Sequence, residues 1–335
     1  MQAAIYGLEG IEITPDERDF FRDADPAGFI LFRRNCESRE QMRRMTDGLR
    51  EIAGRPEVPI LIDQEGGRVA RMRPPEWPAF PCGEQFDKLY QLAPSSAIEA
   101  ARVNARALAL MLNEVGVNVD CLPMLDVRQP GATDIVGDRA LGSEPMQVAA
   151  LGRAILDGLH SAGVLGVIKH IPGHGRALVD SHHELPIVDA GEEELAIDLE
   201  PFERLRGAAM GMTSHLLYKQ WDPDRPASQS PIVIHDIIRQ RIGFDGFLMS
   251  DDIGMEALAG DHGQRAAACV DAGCDVALHC DGKMENMVLV AKAVPSLTQE
   301  AEARLSRAMA LTFTPADDID FAAAVEKRDA LLALA

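Results

Sequence analysis

Several things are scarce in this chain. Its cysteines (Cys36, Cys82, Cys121, Cys269, Cys274 and Cys280) form no Cys-x-x-Cys pair and number only six in 335 residues. That spacing offers no disulfide framework and suits buried thiols in a reducing cytoplasm. No apolar run approaches the ~18 residues of a membrane span. Met1 to Ile13 has no basic region followed by an apolar core, so neither a membrane segment nor a signal peptide is expected. Positive charge is in deficit, with 33 Lys and Arg against 53 Asp and Glu and a formal net charge of -20. A polyanion such as DNA is repelled by such a surface, which excludes nucleic acid as a partner; the acidic excess reads simply as solubility. Linkers and low-complexity stretches are also lacking.

What is present is apolar sequence in short blocks. The chain is 47% hydrophobic, ample for a large core, and its length fits two average domains or one α/β barrel. Eight apolar runs recur: Ala3 to Leu8, Gly28 to Phe32, Val58 to Ile62, Val117 to Leu125, Val164 to Ile168, Ala208 to Met212, Phe244 to Met249 and Cys274 to Leu278. They are continuous rather than alternating, as strands buried on both faces are, and Pro123 should close the fourth early. Helical stripes lie between most of them. Ser38 and Ser95 stand as caps for two, Pro201 should kink or split another, and Ala257 to Ala272 makes a further one. Strand-helix alternation repeated eight times predicts an α/β fold, a single (β/α)8 TIM-type barrel over residues 1–335. A doubly wound open sheet is the competitor, but it gathers ligand residues at one switch point. Here polar residues follow nearly every run: Glu9, Arg34, Asp63, Asp126, Lys169, His170, His215, Asp251 and His279. The segment Pro74 to Pro78 is rigid and is placed in a loop over the barrel mouth.

The densest chemistry follows the fifth run. Lys169-His170-Ile171-Pro172-Gly173-His174-Gly175 leads into Asp180-Ser181-His182. Pro172, Gly173 and Gly175 forbid a helix and favour a bent, mobile loop. Asp180 and His182 are two apart, close enough for the carboxylate to fix the imidazole tautomer. His170, His174, His182 and Asp180 could also collect a zinc ion from a loop, and Lys169 at a strand end could serve as a Schiff-base lysine, its pKa lowered by His170 and nearby arginines. Asp63-Gln64-Glu65-Gly66-Gly67-Arg68-Val69 follows the third run. Its glycines allow close approach to a ligand, while Asp63 and Arg68 either bind a sugar hydroxyl or brace the loop as a pair. Gly137-Asp138-Arg139 is a ligand corner or a surface ion pair. In Ser250-Asp251-Asp252 adjacent residues point to opposite faces, so one aspartate enters the site and the other braces the rim; parity alone leaves open which.

Together these motifs resemble the bacterial β-N-acetylglucosaminidases of glycoside hydrolase family 3, the NagZ type. The resemblance extends to Met212-Thr213-Ser214-His215, Pro226-Ala227-Ser228 and Ile253-Gly254-Met255, and runs in the family's order from about Gly7 to about Asp281. Ile171 replaces the usual phenylalanine, Arg176 stands where a small or acidic residue is common, and Gly254 replaces serine. The resemblance implies a retaining exo-hydrolase that removes terminal β-linked N-acetylglucosamine from cell-wall fragments in the cytoplasm. Its expected substrate is N-acetylglucosaminyl-1,6-anhydro-N-acetylmuramic acid with or without peptide, placing it in peptidoglycan recycling. It implies Asp251 as nucleophile, His182 as acid/base paired with Asp180, and sugar contacts from Asp63, Arg68, Arg139, Lys169 and His170, with His215, Asp126 and Met255 behind them. No metal or other cofactor is implied, and a monomer or weak homodimer is expected. A barrel that binds carbohydrate without turnover is the alternative of a different class.

Overall fold

The computed structural model describes residues 1–131, 135–181, 184–314 and 320–335. Ten strands form among the described residues: β1 (Gln2–Gly7), β2 (Pro26–Leu31), β3 (Ile60–Ile62), β4 (Val119–Asp120), β5 (Leu165–Ile171), β6 (Ile187–Val188), β7 (Met210–Thr213), β8 (Leu217–Tyr218), β9 (Phe247–Asp252) and β10 (Val276–His279). Eight of them close into a parallel barrel in chain order, β10 pairing back onto β1 through Ala4 and Ala277. The predicted (β/α)8 barrel is therefore the fold. Of these strands only β6 and β8 lie outside it, as a separate two-stranded parallel ribbon.

Each barrel strand divides its side chains between two cores. Ile5, Leu61, Val167 and Met249 pack together inside the barrel, whereas Tyr6, Ile62, Ile168 and Leu248 face the surrounding helices. Both sets are buried, so alternation in space leaves no polar–apolar alternation in sequence. Each such side chain contributes roughly 1.5–3 kcal/mol by leaving water. Leu297, Ala301, Leu305 and Ala308 join the inner cluster. The helix Gln299–Met309 thus covers the end where strands begin, held there by Arg304 to Asp245 and Asp275. The open end carries the strands' C-termini.

Local signals settle the helix limits. Ser38 caps Arg39–Ala53 by accepting the Gln41 N–H at 3.2 Å. Ser95 does not cap its helix, which begins at Pro94, where the missing N–H costs nothing. Pro201 does not split Glu192–Arg204, because it lies near the helix end. The helix expected from Ala257 starts only at His262, behind Gly260 and an Asp261–Gln264 capping box. No helix among the described residues is long and apolar enough to cross a membrane.

Candidate active site

The inner face of the barrel leads directly to the polar groups at its open end. Asp63 continues the face of Leu61, Lys169 that of Leu165 and Val167, and Asp251 that of Phe247 and Met249. β5 runs on through Ile171 and β9 through Asp252, so Lys169, His170 and Asp251 sit within strands rather than beyond them. The barrel ladder explains the extra length: Leu125 N–H donates to the Lys169 carbonyl at 2.6 Å and Ser214 N–H to that of Ile171 at 2.9 Å. The peptide between Lys169 and His170 is cis, and both side chains line the cleft.

Five charges interlock on one wall. The Lys169 ammonium lies 3.0 Å from Asp63 Oδ1 and 2.6 Å from Glu65 Oε1. Arg71 donates to Asp63 Oδ2 at 2.9 Å. Arg139 forks onto both Glu65 oxygens at 2.8 and 2.7 Å. Burial alone would lower the Lys169 pKa, but Asp63 and Glu65 outweigh it and push it above the ordinary lysine range. This corrects the expectation that its neighbours lower it, and it withholds the free amine that a Schiff base needs. Burial likewise would raise Glu65, yet Arg139 and Lys169 hold it down to about 2. Asp63 is held below the ordinary range by Lys169 and Arg71 against the same burial.

Asp63 therefore pairs with Lys169 and Arg71, not with Arg68. Arg68 reaches Asp138 at 2.7 Å and the Ile135 carbonyl, tying the loops after β3 and β4 together near the surface. Arg139 is far more enclosed than the surface pair considered for it, and its partner is Glu65. Gly66 answers to packing within the protein rather than to a ligand: its φ is +99°, and a Cβ there would meet the Pro81 carbonyl oxygen at 2.2 Å. The Pro74–Pro78 segment does not line the cleft; Glu76 is bound to Arg39 instead. Glu65 and Arg71 are members of this charged network that sequence reasoning misses. The signal for Glu65 was its place two residues after Asp63.

Behind this wall, fully buried Asp126 accepts the His170 Nδ1–H at 2.7 Å and the His174 backbone N–H at 2.6 Å. Burial would raise its carboxyl, but the His170 ring and the His174 contacts keep it at about 2. The bond to Nδ1 leaves His170 Nε2 as the nitrogen for a ligand. His174 is buried beside His170 with its pKa pushed down to about 4. Arg176 fastens the loop to the helix Glu192–Arg204 through Asp198 at 2.6 Å and the Glu194 carbonyl at 2.9 Å. Further on, the Ser181 carbonyl accepts Ala257 N–H at 3.2 Å. Asp180 and Ser181 both line the cleft. His182 lies outside the described residues, and with it the loop zinc set. Gly175 fixes the loop's path, since a Cβ there would lie 1.8 Å from the Val127 carbonyl oxygen. Gly175→Ala is expected to lower stability by about 1–3 kcal/mol and to slow turnover by shifting the loop; a melting curve and a turnover assay on the same preparation measure both.

The paired aspartates differ in their partners. Asp251 lines the cleft. Burial would raise its carboxyl, but the His170 and His215 rings and the Asp252 N–H outweigh it and hold it below the usual range. Asp252 also reaches the cleft lining, but its carboxylate is committed elsewhere: it accepts Gly254 N–H at 2.9 Å and Cys280 N–H at 3.3 Å, bracing the rim. His215, fully buried, donates Nε2–H to the Asp252 carbonyl at 3.0 Å and accepts from the Ser228 hydroxyl at 2.7 Å. It fixes the end of β9 from behind. The resulting cleft holds about 290 Å³, with Ile30, Met212 and Leu278 of the barrel interior among its lining residues.

The glycosyl hydrolase family 3 N-terminal domain matches residues 2–311. The chain belongs to glycosyl hydrolase family 3. Among family 3 relatives, a β-hexosaminidase of Stenotrophomonas maltophilia is 37% identical over 302 residues, 89% of each chain. One of Xanthomonas oryzae pv. oryzae is 39% identical over 281 residues, 82% of this chain and 83% of that one. The structure of NagZ from Neisseria gonorrhoeae in complex with N-trifluoroacetyl-D-glucosamine matches with a TM-score of 0.88 at 29% identity, covering 99% of this chain and 98% of that one. This family 3 chain is a glycoside hydrolase of the NagZ type.

Proposed function

We propose that the enzyme is a retaining exo-β-N-acetylglucosaminidase. It releases terminal N-acetylglucosamine from peptidoglycan-derived fragments, N-acetylglucosaminyl-1,6-anhydro-N-acetylmuramic acid with or without peptide, in cytoplasmic cell-wall recycling. The observation that carries the reading is a buried Asp251, held below the usual carboxylate range, in a cleft that the fixed charges of Asp63, Arg71, Arg139 and Lys169 also line. The names of the β-hexosaminidase relatives and the aminosugar bound to the gonococcal protein support the sugar. A cleft of about 290 Å³ floored by the barrel-interior side chains Ile30, Met212 and Leu278 is consistent with exo action on a terminal ring.

In this mechanism Asp251 attacks C1 through an oxocarbenium-like transition state and forms a glycosyl-aspartate. His182, oriented by Asp180, protonates the bridging oxygen as the bond breaks, then takes a proton from the water that releases the sugar with retention. An imidazole replaces the second carboxylate of most retaining glycosidases, and its ordinary pKa near ~6.5 suits both proton transfers near neutral pH. Asp63, Lys169, His170, Arg68 and Arg139 hold the sugar hydroxyls or the side chains that do.

His182→Ala is expected to slow cleavage of a substrate with a poor leaving group by about 100-fold or more, and to slow an activated aryl glycoside least. A leaving-group series on both proteins measures it. Equal losses across the series would remove His182 from the acid role, and retained binding without any turnover by the unaltered enzyme would favour a carbohydrate-binding barrel.

A further inference from the structure

Beside the cleft, a second group of side chains has no place in that chemistry. His279 ends β10 and is fully buried, His262 opens the helix His262–Asp271, and Asp281 follows two residues after His279. One donor atom from each lies within 4.8 Å of the others, the one group of three or more such donors among the described residues. The two imidazoles stand edge to face with centroids 5.2 Å apart. Three of their buried ring nitrogens, His262 Nδ1 and both of His279, lack a hydrogen-bond partner among the described residues. His279 Nε2 is 3.2 Å from Asp281 Oδ1, near enough for attraction but without hydrogen-bond alignment.

Buried polar nitrogens left unbonded cost free energy, and two rings so placed together need an explanation beyond packing. Hydrogen bonding among the three residues does not supply one. We infer that His262, His279 and Asp281 form a zinc-binding site separate from the sugar cleft. Two imidazoles and a carboxylate are a borderline donor set that suits Zn²⁺ over Mg²⁺ or Ca²⁺, which prefer oxygen cages. Donors about 2.1 Å from a tetrahedral ion stand about 3.4 Å apart, so small side-chain rotations close the site, with water in the fourth position. The Asp281 carboxylate is already held in place for ligation. It accepts Lys283 N–H at 2.8 Å and Asn286 Nδ2–H at 2.5 Å, which leaves lone pairs for a metal. Arg34, the neighbouring cation, is committed to the carbonyls of Leu8 and Cys280.

The site clamps the start of one helix to the loop that leaves β10. Cys280, between two of the ligands, lines the cleft and donates its N–H to Asp252. Bound zinc therefore stiffens the rim beside Asp251 without touching the sugar.

The test is zinc titration of chelator-treated, full-length protein by calorimetry, with Co²⁺ as a spectroscopic probe and melting temperature as a second readout. One equivalent of Zn²⁺ should bind, Co²⁺ should show the visible bands of a nitrogen–oxygen tetrahedral site, and zinc should raise the melting temperature. His262→Gln and Asp281→Asn should each weaken binding at least tenfold and abolish the thermal shift, while both variants remain folded and hydrolyse an aryl glycoside without added metal. No binding at 100-fold excess zinc would overturn the assignment. So would binding that persists unchanged in both variants, which would move the ion to the imidazoles of the 169–182 loop.

Discussion

Asp251→Ala is expected to reduce turnover of an aryl β-N-acetylglucosaminide by at least ~10⁴-fold, with the fold intact. The size follows from its proposed covalent role: with the attacking oxygen gone, water must meet the oxocarbenium centre unaided. Retained folding follows from the local balance. Asp251 is a buried carboxylate whose removal leaves no ladder bond unmade, and the one bond from its side chain among the described residues is to the adjacent Asp252 N–H. Asp252→Ala should behave differently. It frees the N–H groups of Gly254 and Cys280, so it should lower the melting temperature and reduce activity through a loosened rim. A slow fluorinated sugar completes the comparison, adding one sugar mass to a peptide at Asp251. A label on Asp252, or a strongly active Asp251→Ala protein, would reverse the assignment of the pair.

The strand pattern left that assignment open, with only the family resemblance pointing to Asp251, and the reason is physical. Both faces of β9 are buried, so Phe247, Leu248 and Met249 carry no hydrophobic alternation to reveal which face looks inward. The barrel itself was legible for the same cause: continuous apolar runs separated by helical stripes have few other solutions. Residues that end strands were legible as a set, since Asp63, Lys169, His170 and Asp251 meet at one cleft. Their partners were not. Pairing Asp63 with Arg71 rather than Arg68 depends on where a glycine turn sends the chain, and that turn is shaped by Pro81, fifteen residues beyond Gly66. Strand ends are also hard to place, because a polar residue suggests a stop where none occurs. The ladder continues through Lys169 and Asp251, where buried partners satisfy the polar side chains. Glycines in the loop after β5 suggest mobility, yet Gly175 is required by contact with Val127.

Lys169→Met tests the charged wall as a unit. The ammonium is almost wholly buried and bridges two carboxylates that no other single residue joins among the described ion pairs. A methionine of similar length keeps the packing and removes the charge. Asp63 and Glu65 then retain Arg71 and Arg139, but each loses a buried cation at 3.0 or 2.6 Å. Breaking a buried pair in this way costs about 3–5 kcal/mol, and the Asp63 carboxylate, proposed to meet the sugar, loses one of the two bonds that fix its orientation. Urea unfolding should show the stability loss, and the KM for the aryl glycoside should rise with it. The pH dependence separates charge from packing. Glu65 is held at about 2 against an ordinary 4.5, so the unfolded chain binds more protons than the folded one between those values. The stability that this carboxylate contributes is present at neutral pH and is lost as pH falls through about 2. The variant, with a less depressed Glu65, has less to lose, so the stability gap between the two proteins should narrow on acidification from pH 7 toward ~3. A gap that is constant with pH would mean that the methionine disturbs packing alone. An unchanged stability at neutral pH would mean that the ammonium does not hold the wall together.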